Sequence, residues 1–139
     1  MAVSPLQVAL AGLLGAIAMA LATSLFHFRR VAMVDFGRLI ATKLLRYHSH
    51  GTQLGLALHL VNGIVLAFIY ALIVQPFLPG PALAKGALYG VALWLIMMLG
   101  VLPALGDGFF GWRSDRSAAP SGLALHLLYG LILGAVFAA

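Results

Sequence analysis

Cysteine is absent from this chain. Its absence excludes disulfides, thiolate-ligated iron–sulfur clusters, thioether-linked haem and a cysteine nucleophile. Acidic residues are nearly absent too, three against eight Lys and Arg, and none falls inside an apolar run. That argues against a proton-coupled transporter or rotary device, which needs a carboxylate or an equivalent relay within the membrane. No phosphate-binding loop and no nucleophile–base set is found, so the chain is not expected to be an enzyme on its own. Charged residues make up only 8% of the chain, against about 25% in soluble domains.

What remains is apolar: 63% of the 139 residues are hydrophobic. Four runs stand out, at Leu6–Phe26, Leu54–Val74, Ala82–Leu102 and Gly122–Ala138. Each is near the twenty or so residues that cross a hydrocarbon core, the last somewhat short. Strand alternation is missing, so the runs predict helices. The expected fold is an all-α four-transmembrane-helix bundle forming a single membrane domain over residues 1–139. Ala20-Leu21-Ala22 has the look of a leader cleavage site. No Lys or Arg precedes the first run, however, and it reads as a retained transmembrane helix.

The net charge of +5 could suggest nucleic acid. Its distribution points instead to membrane topology and anionic headgroups. Arg29, Arg30, Arg38, Lys43, Arg46, Arg113 and Arg116 lie in the first and third connections, and only Lys85 lies on the other side. The positive-inside rule then places those connections in the cytoplasm and both termini outside, as in a bacterial inner membrane. In the first connection Met33, Phe36, Ile40, Leu44 and Tyr47 share one helical face, opposite Asp35, Arg38, Thr42 and Arg46. This pattern predicts an amphipathic interfacial helix. It is expected to end at Gly51-Thr52, with Thr52 capping the second span. Pro103 is expected to open the third connection, and Ser121 to cap the fourth span.

One motif occurs twice. Gly55-Leu56-Ala57-Leu58-His59-Leu60-Val61-Asn62-Gly63 matches Gly122-Leu123-Ala124-Leu125-His126-Leu127-Leu128-Tyr129-Gly130. Extending the alignment to residues 55–72 and 122–139 gives nine identities in eighteen positions. The first and third spans align through Gly12 with Gly86, Leu14 with Leu88, Ala18 with Ala92, Leu21 with Leu95 and Leu25 with Leu99. These matches predict two tandem two-helix repeats, 6–74 and 82–139. Their even number of spans would relate them by a pseudo-two-fold axis along the membrane normal.

An ionisable residue inside a membrane is a candidate functional group. His59 and His126 would stand at one level on related helices. Gly55, Gly63, Gly122 and Gly130 lie a turn above or below them on the same faces, leaving room for a neighbouring helix or a flat ligand. Two neutral imidazoles from facing helices can hold the iron of a b-type haem on both sides, giving an electron carrier with no open coordination position. Arg29, Arg30, Arg38 or Arg46 could meet the propionates. This arrangement resembles the site pattern of small membrane b-type cytochromes, which also place glycine near haem-bearing histidines. Asp35 and Asp107 could orient the imidazoles by accepting ring N–H groups. The same glycines are also ordinary close-packing devices. An accessory or assembly subunit with structural histidines is therefore the alternative, and a small two-repeat transporter or channel a third. The expected partners are the lipid bilayer and other membrane subunits or a second copy, with no nucleic acid.

Overall fold

The computed structural model describes residues 3–28, 51–113 and 116–138. Every regular element among them is helical, and four helices are long and apolar enough to span a membrane. Helix α1 runs over Pro5–Phe28. Helix α2 covers Gly51–Ile69 and continues as a π-helical turn over Tyr70–Val74. Helix α3 covers Ala82–Ile96, a second π turn over Met97–Val101, and a last turn at Leu102–Ala104. Helix α4 spans Ala118–Val136. The interfacial helix expected in the first connection, with Asp35, Arg29, Arg30, Arg38 and Arg46, lies outside the described residues.

Three helix ends differ from the sequence reading. Thr52 is not a cap, because α2 already begins at Gly51. Ser121 lies inside α4, and its hydroxyl donates to the Ser117 carbonyl at 2.6 Å. Pro120 is tolerated there because first-turn amides have no intrahelical acceptor. Pro103 does not end α3, since the π turn just before it carries the helix through. Both π turns end two residues before a proline, Pro76 and Pro103. A proline has no N–H for the carbonyl four residues back, and its ring collides with that carbonyl. Widening the preceding turn relieves the collision: the Gln75 amide reaches back five residues to Tyr70 at 2.7 Å.

Bilayer lipid is as apolar as leucine, so close packing and hydrogen bonds hold such helices together. Glycine supplies the packing. On Gly12 a β-carbon would lie 2.6 Å from the Gly63 carbonyl oxygen and 2.7 Å from Ala67 Cβ, so α1 and α2 touch backbone to backbone. On Gly86 it would overlap the Gly130 carbonyl oxygen, and on Gly90 the His126 carbonyl oxygen. Helices α3 and α4 therefore form the tightest pair, and α4 also packs on α1. Large exposed side chains, among them Leu10, Leu14, Leu21, Val65, Leu72 and Leu88, cover the outer faces of the bundle, as lipid contact requires.

In square cross-section the close sides are α2–α1, α1–α4 and α4–α3. The fourth side, between α2 and α3, keeps its backbones apart. It is bridged by the Tyr89 hydroxyl, which donates to the Leu66 carbonyl at 2.8 Å. The Tyr70 and Tyr89 rings, 5.1 Å apart, close the same end. Tyr129 crosses the centre from α4 to α2 and donates to the Gly63 carbonyl at 2.5 Å. Its ring fills the notch at Gly15 of α1.

Candidate functional site

A partly open cavity of about 220 Å³ lies at the centre of the bundle, on the side where α2 and α3 stand apart. His59 and His126 both line it. Around them are Asn62, Leu66, Leu93, Ile96, Met97 and Tyr129. No side chain in the lining carries a fixed charge.

The hydrogen bonds of the two imidazoles fix their tautomers. A carbonyl oxygen only accepts, so the ring nitrogen facing it carries the proton. His59 Nε2–H donates to the Ala16 carbonyl of α1 at 3.1 Å. His126 Nδ1–H donates to the Gly122 carbonyl of its own helix at 2.7 Å. In the neutral rings His59 Nδ1 and His126 Nε2 are then acceptors. Neither atom is buried without a partner among the described residues. Both rings line the cavity, and no hydrogen bond among the described residues engages either acceptor atom.

The flanking glycines serve the neighbouring helices. Gly63 meets Ala16 and Gly12 of α1, and Gly130 meets Gly86 and Gly90 of α3. Gly122 faces Met98 and Trp94. Gly55 is buried. Asp107 does not line the cavity. It is buried in the connection after α3, between Gly106 and Gly108, whose φ angles of +87° and +75° suit glycine. The imidazole N–H groups go to backbone carbonyls instead. Among the described residues no group of three His, Cys, Asp or Glu could hold a metal ion.

Sequence reasoning did not single out Tyr89. It stands where α1 has Gly15 under the alignment of Gly12 with Gly86, and that exchange of glycine for a large polar-tipped ring was the available signal. Asn62, the counterpart of Tyr129 in the repeated motif, is exposed at the rim of the cavity, and its carboxamide makes no hydrogen bond among the described residues.

Residues 3–139 match a protein family described as a family of unknown function, DUF6789. The chain belongs to that family. The match takes in all four spans of this DUF6789 protein and both histidines of the cavity. No curated protein and no solved structure gives a significant match.

Proposed function

We propose that this chain is a non-enzymatic subunit of a larger membrane assembly and that its working site is the cavity between the paired histidines. The carrying observation is that His59 of α2 and His126 of α4, on helices diagonal to each other, line one cavity. The subunit resides in a bacterial inner membrane with both termini outside, a reading that rests on the Lys and Arg distribution. It is built from two tandem copies of a helix pair. Equivalent contacts support this: Gly12 packs on Gly63 and Ala67, and their aligned counterparts, Gly86 on Gly130 and Gly134, do the same.

The sharpest form of the proposal is an electron-transfer subunit with a b-type haem between His59 and His126. Haem supplies one-electron chemistry at its iron. The cavity as it stands does not admit the macrocycle, because about 220 Å³ is below the roughly 300–1,000 Å³ of sites for drug-sized ligands. Holding it would require α2 and α3 to part further. His59 would also have to coordinate through Nδ1 or release the Ala16 carbonyl. The test is an optical spectrum of the protein purified in mild detergent, oxidised and then reduced with dithionite. The haem form predicts a sharp reduced α-band with near-stoichiometric haem, lost in His59→Ala and in His126→Ala alike. A wild-type spectrum from either variant would sink ligation by both histidines.

A second reading, an accessory subunit with structural histidines, is favoured by one observation. Both imidazole N–H groups already donate to backbone carbonyls, and that of His59 ties α2 to α1. It predicts a colourless protein from haem-supplied cells, with His59→Ala destabilising the fold by about 1 kcal/mol.

A further inference from the structure

We infer that the cavity receives the hydroxylated ring of a membrane-dissolved amphiphile, of the phenol or hydroquinone class, entering sideways between α2 and α3. The inference rests on the reading that the two-histidine cavity is a ligand site, and it names the ligand.

The route comes from the packing. The side of the bundle between α2 and α3 is the one without close backbone contact. It is closed at the end where Tyr89 reaches Leu66 and stacks near Tyr70. At the level of the histidines its rim is formed by Asn62 and Ile96, both exposed. Lipid lies against these faces, so a ligand dissolved in the bilayer reaches the cavity without crossing water, and its alkyl tail can stay between the helices.

The lining determines the chemistry. It carries no fixed charge, so the ligand is neutral. Both imidazoles line it, and the nitrogens left without an intramolecular hydrogen bond, His59 Nδ1 and His126 Nε2, are acceptors because the other nitrogens hold the protons. An acceptor left dry and unpaired is costly. At the imidazoles a ligand bearing only carbonyl or ether oxygens would set acceptor against acceptor, whereas a hydroxyl donates. The Asn62 carboxamide at the rim can donate or accept and does not discriminate. Apart from Asn62, the remaining side chains of the wall, among them Leu66, Leu93, Ile96, Met97 and the Tyr129 ring, are apolar or aromatic. A methionine sulfur near the edge of an aromatic ring is a favourable contact. The volume of about 220 Å³ suits one ring with small substituents.

The test uses full-length protein with ¹⁵N-labelled histidine in lipid nanodiscs, titrated anaerobically with decylhydroquinone, its dimethyl ether and decylbenzene. Decylhydroquinone should saturate the protein and move the His126 Nε2 signal in the direction of an accepted hydrogen bond, with the Nδ1 proton retained. The dimethyl ether and decylbenzene, which lack the hydroxyl, should leave that signal in place. His126→Phe should weaken binding about tenfold, read from the His59 signals. Leu93→Trp, which fills the cavity from α3, should abolish binding. Equal responses to hydroquinone and dimethyl ether would overturn the donor–acceptor argument, and undiminished binding by Leu93→Trp would overturn the location. If decylhydroquinone does not bind but the protein carries haem, the inference fails and the ligand-site reading stands. If neither binds, both fail and the structural reading is left.

Discussion

Gly86→Ala should lower the unfolding free energy of the purified protein by about 2–3 kcal/mol, while Gly100→Ala should leave it within about 0.5 kcal/mol. Both glycines are in α3, and alanine is the better helix former at both. They differ only in what a methyl group would meet. At Gly86 it would overlap the Gly130 carbonyl oxygen and lie 2.8 Å from the Gly134 amide nitrogen, which are backbone atoms of α4 and cannot turn aside. The helices must separate, and the closest interface in the bundle loses dispersion contacts along its length. At Gly100 there is open space within 4 Å. Reversible unfolding in mixed detergent micelles measures both. Equal stabilities of the two variants would mean that α3 and α4 do not meet backbone to backbone at Gly86.

The same comparison shows how far the sequence could be read. The four spans were legible because a membrane helix must keep its backbone polar groups paired and its side chains apolar, leaving long runs almost free of charge. Their ends were less so. Nothing in Pro103 or Pro120 announces that a π turn will carry α3 past one, or that the other will fit a first turn. The repeated glycine–histidine motif was plain, but its meaning was divided between packing and ligand space. Which neighbour a glycine faces depends on the rotation of its helix. Only the packed bundle sets Gly63 against α1 and Gly130 against α3. The hydrogen bonds of the imidazoles were equally hidden, because Ala16 and Gly122 accept through backbone carbonyls that every residue possesses. Tyr89 and Tyr129 were obscured by a similar cause: each donates to a carbonyl of α2, which no residue pattern marks.

Tyr129→Ala should be the most damaging single change near the cavity, at about 3–4 kcal/mol, and Tyr129→Phe should cost only about 1 kcal/mol. The side chain is 2% exposed and joins three helices: it grows from α4, fills the notch at Gly15 of α1 and donates to Gly63 of α2. Phenylalanine keeps the ring and loses one hydrogen bond. Gly63 then loses little, since a helix carbonyl has its own intrahelical partner as well. Alanine removes the ring and joins its volume to the two-histidine cavity. The coupling with Gly15 separates packing from hydrogen bonding. A β-carbon on Gly15 would lie 2.5 Å from the Tyr129 ring, so Gly15→Ala should be costly in the native background and nearly neutral beside Tyr129→Ala. Additive costs would mean that the notch does not hold the ring. If the two changes are coupled as expected, Tyr129 is the wall that limits the cavity's size. Its truncation should then relax the cavity's selection for a single ring and let bulkier hydroquinones compete.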